Sequence, residues 1–473
     1  MYVQVSLKME IAATASLSQM EYHIQEAGQQ AMREALKTTV RHWEDLHGAC
    51  PFCGHQQSRL EGTTRRKIAT TFGQVRVHRR RFRCLACQRR WCPATALFAA
   101  LKGATISQPL QDAAIQIGSS LPYRAACQQL RKLSGAQISP EEMRLLANAY
   151  GKQRAQSQQQ EAERLCATAE PASEVPAESA PEAEAEPGVE PAPEAIIGPK
   201  AGAQATPPLL VGIDGGWIGS REQRGGMEGK VTVVCGKVED LPMAPCDTTF
   251  SWSKRTSPRR PPRPRHRLAQ RRYVATFGPS KQIGQQAEAA ARLVSQDRTR
   301  PVVVLADGAA WIKTEQAKHF PQATCILDWA HLWREVRRAL RATARAISWS
   351  AKEQRYHKNV YQNWLWYGEV DKAVQGLRKL SEGVSDEPLR ALQKAITYLE
   401  NQRPWMGSYE DWRKKGYPVG SGMIERAVEI VINRRMKKRG MRWCRANATA
   451  IVALRADLLN DDWITPQPLR AFP

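Results

Sequence analysis

Two apolar runs that each end on an aspartate and a glycine constrain this chain more than any other feature. Residues 209–218 read LLVGIDGGWI, and residues 301–312 read PVVVLADGAAWI. Runs this apolar and β-branched suit strands buried on both faces of a sheet. Each delivers a carboxylate, Asp214 or Asp307, directly before a glycine, with a tryptophan three or four positions on. An aspartate in a strand-ending turn is commonplace on its own. Repeated on two buried strands, it predicts neighbours that present carboxylates to one spot.

Between and after these runs, Lys230–Val238 (KVTVVCGKV) and Arg272–Phe277 (RYVATF) read as the second and third strands of a meander. Gln282–Gln296 reads as a helix, Val302–Leu305 as a fourth strand and Ala323–Leu327 as a fifth. Three antiparallel strands followed by α-β-α-β is the ribonuclease-H-like order. Asp328-Trp329-Ala330-His331 then opens a long helical stretch that is rich in aromatics from Trp349 to Trp412. Aromatics at helical spacing read as packing before they read as base-stacking platforms. A further motif, Gly420-Ser421-Gly422-Met423-Ile424-Glu425, starts a helix that runs into Arg434, Arg435, Lys437, Lys438 and Arg439. The helix dipole favours a first-turn carboxylate in any case. Beside two strand-end aspartates and a basic helix, Glu425 reads as a third metal ligand.

Upstream, Cys50-Pro-Phe-Cys53 and Cys84-Leu-Ala-Cys87 are separated by 30 residues. Tetrahedral zinc takes four thiolates, and C-x-x-C turns supply them in pairs. A hairpin read at Ala69–Phe82 accounts for the long spacing; Cys92 and His55 are the other possible ligands. Arg65, Arg66, Arg76 and Arg79–Arg81 coat this ribbon and are expected to lie against phosphates. Residues 107–152 follow as helix, helix, turn, helix. Ser139-Pro140-Glu141-Glu142 is an N-cap signature for the last of these. The spacing fits a DNA-binding helix-turn-helix with Arg144 and Asn148 as candidate readers, or a plain helical hairpin.

A net charge of +24 with a pI near 9.8 argues for a polyanionic partner, nucleic acid first. No apolar run approaches the roughly 20 residues of a spanning helix, and the N-terminus lacks a signal-peptide core. The 11 cysteines do not follow a secreted disulfide framework. The expectation is a cytoplasmic, nucleoid-associated protein with no membrane partner. Residues 167–194 hold eight glutamates among alanine and proline with no lysine or arginine, a composition that forms no core. Lys254–Arg272, with nine basic residues and no acid, is expected to be a loop that tracks phosphates.

Breaking a phosphodiester needs an in-line nucleophile and charge stabilisation on both sides. Two Mg²⁺ ions about 3.5–4 Å apart, held by a few carboxylates, provide this. Asp214 would bridge both ions, with Asp307 holding one and Glu425 the other. Oxygen donors favour Mg²⁺, with Mn²⁺ as a substitute, over zinc at this site. The order Asp, Asp, D-x-x-H, helical insertion, Glu, together with GSGMIE…RRMKKRGMRW and ANATAIVALRADLL, resembles the ISKra4-type insertion-sequence DDE transposases. The resemblance implies a bacterial transposase acting on transposon ends and target DNA as a homo-oligomer. It implies metal-ligand roles for Asp214, Asp307 and Glu425, a supporting role for His331, and Asp328 as the partner of His331.

The expected fold is multidomain α+β. Residues 1–157 form a helical, zinc-ribbon and helix-turn-helix DNA-binding region, with structural zinc on Cys50, Cys53, Cys84 and Cys87. Residues 158–208 are an acidic linker, and 209–334 a ribonuclease-H-like catalytic core. Residues 335–415 are an all-α insertion, and 416–463 return to the catalytic core with Glu425. Another ribonuclease-H-like nuclease or resolvase, or a domesticated non-catalytic DNA-binding protein, are the competing functions.

Overall fold

The computed structural model describes residue 4 and residues 9–99, 101, 103–167, 207–241 and 265–469. The acidic stretch beyond Ala167 and the first part of the basic stretch, 254–264, lie outside the described residues. The fold is mixed α+β, and among the described residues no helix is long and apolar enough to cross a membrane.

The chain begins with α1 (Leu17–Leu46), opened by a capping box between Ser16 and Gln19. An antiparallel hairpin follows, β1 (Ser58–Thr70) and β2 (Gly73–Cys84), extended by the short β3 (Arg90–Trp91). It is longer than the Ala69–Phe82 segment that the turn residues alone mark. Alternation along β2 buries Val75 and Val77 against Val40 of α1, with Ile68 of β1 and Phe98 of α2 (Thr95–Ala99) closing a small separate core. Three helices come next: α3 (Gln108–Ser120), α4 (Tyr123–Ser134) and α5 (Pro140–Ala167). Gly135, at φ +68°, ends α4 in the left-handed conformation glycine favours, and the expected Ser139–Glu142 capping box starts α5.

The central sheet has five strands. β4 (Leu209–Ile218) lies in the middle, antiparallel to β5 (Met227–Leu241), which pairs antiparallel with the edge strand β6 (Arg265–Thr276). Helix α6 (Ser280–Val294) leads to β7 (Val302–Ala306), parallel to β4, and α7 (Ala310–His319) leads to β8 (Thr324–Leu327), parallel to β7. The order is therefore β6-β5-β4-β7-β8. β6 starts at Arg265, not Arg272, so the end of the basic stretch is strand and not loop. An edge strand tolerates basic side chains, which also guard it against pairing with other chains.

After β8 the chain is helical: α8 (Trp329–Ala346), α9 (Ala351–Trp366), α10 (Val370–Glu382), α11 (Asp386–Gln402), a 3₁₀ turn (Arg403–Trp405) and α12 (Tyr409–Lys414). Tyr361, Leu365, Leu377, Leu392, Trp405 and Tyr409 continue the apolar cluster that holds Val304, Leu305 and Ile326 of the sheet. Packing accounts for most of the aromatics here, although Tyr356 and Tyr367 stay exposed. The last elements are α13 (Gly422–Val428), a π-helical turn (Glu429–Asn433), α14 (Arg434–Met436) and α15 (Arg445–Leu459).

The helices before the acidic stretch do not form a unit of their own. Leu110, Ile115, Met143, Leu146 and Tyr150 share one apolar cluster with Val231 and Val233 of the sheet and with Ile424, Val431 and Ile451. Helix α5 also runs to Ala167, ten residues into the segment that composition assigns to a linker. Its last turns have no apolar stripe. They are held by hydrogen bonds instead: Arg154 grips the Asp457 carboxylate at 2.7 and 3.0 Å, Gln158 donates to the Ala453 carbonyl at 3.2 Å, and Gln159 to Gln285 at 2.7 Å. A boundary at residue 157 therefore cuts a helix, not a linker.

Candidate active site and metal centre

Parallel pairing of β4 with β7 carries Ile213 opposite Ala306, so the next positions, Asp214 and Asp307, are neighbours across two strands. Such strands lie about 4.8 Å apart. Gly215 N–H donates to the Asp214 carboxylate at 2.7 Å, and Ala309 N–H to that of Asp307 at 2.9 Å. Gly212, Asp214 and Gly216 share one face of β4, since side chains alternate along a strand. That face is covered by α13 and the π turn. A Cβ on Gly212 would meet Met423 at 2.9 Å and Ile424 at 3.1 Å, and one on Gly216 would meet Val428 at 2.8 Å. The two glycines let the helix lie directly on the strand, and Glu425 sits between those contact points. Burial pushes the Asp214 carboxyl up to about 6 despite the Gly215 N–H, with the negative charges of Asp307 and Glu425 adding to the rise and His331 opposing it. Four residues distant in sequence thus act on one another at one spot.

Asp328 organises that spot. It is fully buried at the start of α8, where its carboxylate accepts the N–H groups of Ala330 at 3.2 Å and His331 at 3.1 Å. It also accepts Nδ1 of His331 and, across 93 residues of sequence, the N–H of Ser421 at 3.0 Å. Its bond to His331 holds the imidazole's proton affinity up, against the opposing effect of burial. The helical stretch from α8 to α12 therefore leaves and returns at a clamp: Asp328 to Ser421, and Trp329 N–H to the Val419 carbonyl at 3.1 Å. Ser421, which the sequence reading did not single out, then donates its hydroxyl to Glu425 at 2.7 Å. Its signal was its place between two glycines at the start of the helix that carries Glu425.

Glu425 is exposed and engaged with Ser421, and its carboxylate does not close as tightly on Asp214 and Asp307 as the thiols described below close on one another. Glu429, one turn on, faces Arg434 at 3.8 Å. The π turn after α13 leaves carbonyls without helical partners. Arg455, buried in α15, donates to the carbonyls of Val431 at 2.7 Å, Ser119 at 3.2 Å and Ile430. Burial, with Arg435 and Arg434 nearby, pushes its guanidinium down to about 10. Arg435 is 1 % exposed. It donates to the Gly118 carbonyl at 3.0 Å and lies over the rings of Tyr123 and Trp443. Of the basic run, only Arg434, Lys437, Lys438 and Arg439 reach solvent.

The four cysteines do converge. Among the described residues Cys50, Cys53, Cys84 and Cys87 are the one group of three or more potential ligands gathered this closely, with every sulfur within 4.8 Å of the others. The Cys50–Cys87 and Cys53–Cys84 sulfurs are each 3.6 Å apart. Sulfurs at about 2.3 Å around a tetrahedral zinc would be separated by roughly 3.8 Å. The group could hold a metal ion such as zinc, without Cys92 or His55. The N–H of Cys87, at 3.4 Å from its sulfur, draws the Cys84 thiol down to about 6.

Only part of the expected basic surface is free. Arg66 and Arg79 lie over the Phe98 ring on the inner side of the hairpin, and Arg80 pairs with buried Glu44 at 2.9 Å. Arg65, Arg76 and Arg81 are exposed, joined by Lys67 and His78. The register sets Arg65 across from His78 and Lys67 across from Arg76, an unneutralised cationic face. The proposed readers on α5 are not available either. Asn148 is 6 % exposed, because that turn of α5 faces the core, and Arg144 pairs with Glu141. This is the packing of a helical hairpin. The preceding helix carries the free polar face instead, with Arg124, Gln128 and Arg131 exposed at i, i+4 and i+7. No family model matches the chain, and no curated protein matches it in sequence.

Proposed function

We propose that the protein is a metal-dependent DNA transposase that cleaves transposon ends and joins them to target DNA. One observation carries the reading: Asp214 within β4 and Asp307 just past the end of β7 are neighbours on adjacent parallel strands, under the helix that bears Glu425, with His331 held beside them by Asp328. The strand order, three antiparallel then two parallel with helical crossovers, is that of a ribonuclease-H-like catalytic core. The donor set fits a hard divalent cation, since three carboxylates and no thiol surround the spot. Burial is the main cause of the raised proton affinity of Asp214, and the charges of Asp307 and Glu425 add to it, so a cation would be favoured there. Two Mg²⁺ ions bound there would supply charge stabilisation for the attacking and leaving oxygens of an in-line displacement.

Asp214, Asp307 and Glu425 would together hold the ions. Ser421 orients the Glu425 carboxylate, and Asp328 fixes both the His331 ring and the backbone that carries Ser421. Held this way, His331 can donate to a phosphate oxygen without having to find its orientation on binding. DNA contact outside the site would use the exposed cationic face of the hairpin and the Arg124–Gln128–Arg131 face of α4. The four-thiol centre would hold structural zinc that fixes the hairpin.

The experiment is a cleavage and joining assay with duplexes carrying the terminal repeats that flank the gene, in Mg²⁺ and in EDTA. The expected result is Mg²⁺-dependent release of a 3′-hydroxyl and its joining to target DNA, both lost in Asp214→Asn. Cleavage without joining would instead favour a resolvase-type nuclease, and no cleavage in Mg²⁺ or Mn²⁺ would favour a non-catalytic DNA-binding protein.

A further inference from the structure

Beyond the carboxylate site, α8 and α11 form a groove of about 990 Å³. Five arginines of α8, from Arg334 to Arg345, line one wall, with Arg390 and Lys394 of α11 opposite. Against these seven basic side chains stand two carboxylates, Glu335 and Glu387, and Glu335 already faces Lys394 at 3.6 Å. None of the five α8 arginines makes an ion pair or hydrogen bond with another described residue. Arginines three and four apart on one helix repel each other. Such a ridge is best neutralised by a ligand with regularly repeated negative charge.

The floor of the groove is aromatic. Trp329 and Trp333 both line it, their rings 10° from parallel with centroids 6.5 Å apart. Trp329 is fixed edge-on by Trp366 at 5.0 Å and Tyr409 at 4.9 Å. Trp333 also lines an adjoining hollow of about 270 Å³ between α8 and α9, with Arg337, Arg341, Arg355 and Lys358. The groove begins beside the site: its lining includes Ala330, next to His331 in the first turn of α8, and Arg334 three residues after His331. Arg345 lies about 21 Å further along the same axis.

We propose that this groove binds an unpaired DNA strand leaving the carboxylate site, with its phosphates on the α8 arginines and a base against Trp333. The identity of the strand rests on the DNA-cleaving reading above. The volume is that of a large small-molecule pocket, enough for a few nucleotides of one strand and not for the body of a duplex. Indole faces add stacking for every base, whereas a duplex keeps its base faces internal. An acidic polypeptide could match the charge but has no planar rings to offer the indoles.

The test measures binding of the full-length protein to a fluorescent oligo(dT) strand and to a duplex of equal length, in EDTA so that no cleavage is needed. Arg338 and Arg341 are exposed, so R338A/R341A is expected to fold normally. It should weaken oligo(dT) binding roughly tenfold and flatten the log affinity against log salt slope by about 1.4, at about 0.7 per phosphate contact. Duplex binding should change less than about twofold. Trp333→Ala should lower oligo(dT) affinity by about fivefold or more with the slope unchanged. Wild-type oligo(dT) affinity in either variant would overturn the proposal. So would an equal loss for strand and duplex, or binding of poly-glutamate as tight as oligo(dT) and lost in the same variants. A protein that fails to cleave but shows the expected binding would overturn the catalytic reading alone.

Discussion

At the scale of single residues, the site depends on Asp328 more than on any of the three expected ligands. Its carboxylate, itself out of contact with water, takes N–H groups from two separate segments and the His331 ring. Replacing Asp328 by alanine leaves buried donors without partners, and each such loss costs about 1–3 kcal/mol. Chemical denaturation of Asp328→Ala should show a loss of that size or larger, while Asp214→Asn should not be destabilised. The ion pair also sets a pH dependence. His331 has a raised pKa in the folded protein, so its contribution is fully present below about 6.5 and lost as pH rises through the folded value. Asp328 has a lowered pKa, so its contribution is present above about 3.9 and lost as pH falls through its folded value. Stability of His331→Gln relative to wild type, compared at pH 6 and pH 9, should show the larger deficit at pH 6. An equal deficit at both would mean the imidazole is held neutral.

Among the elements, what the sequence made legible and what it hid divide along physical lines. Buried strands announce themselves through continuous β-branched runs, so β4 and β7 and their aspartates could be read directly, although β4 does not end at Asp214 but stays paired with β5 as far as Ile218. The C-x-x-C spacing likewise encoded the four-thiol cluster, because tetrahedral coordination fixes ligand number and geometry. Contacts made by polar side chains leave no such periodic mark. The last turns of α5 are held by glutamines and Arg154, so the helix was cut short. The hairpin arginines were read as phosphate contacts, yet Arg66, Arg79 and Arg80 are occupied by an aromatic ring or Glu44, and Arg435 of the basic helix by two rings and a carbonyl. Arg455 was invisible for the same reason. It satisfies carbonyls that the π turn releases under Glu425. Arg455→Ala should cost about 3 kcal/mol and lower cleavage through misplacement of α13, with end binding retained. Urea unfolding beside a binding assay tests it, and a variant of wild-type stability would mean that the carbonyls find other partners.

For the whole molecule, three apolar clusters define what moves together. The hairpin and α1 share one, while α3 to α5 belong with the sheet and the C-terminal helices. Stripping metal from the thiol centre should therefore release amide protection across 58–91 and leave α5 and α15 protected, as read by hydrogen exchange before and after chelation. A fragment ending at residue 157 exposes Leu110, Ile115, Met143 and Tyr150 and should aggregate, whereas a DNA-binding module standing alone would stay soluble. The central claim is that the fold brings Asp214, Asp307 and Glu425 together as one metal-dependent centre. Glu425 and Glu429 lie one turn apart on the same helix, about 6 Å along its axis, which makes them each other's control. The most direct measurement is Mg²⁺-dependent end cleavage by Glu425→Gln and Glu429→Gln, with end binding measured on the same preparations. The account predicts no cleavage but intact binding for Glu425→Gln, and retained cleavage for Glu429→Gln. An active Glu425→Gln protein, or a folded but inactive Glu429→Gln one, would contradict it.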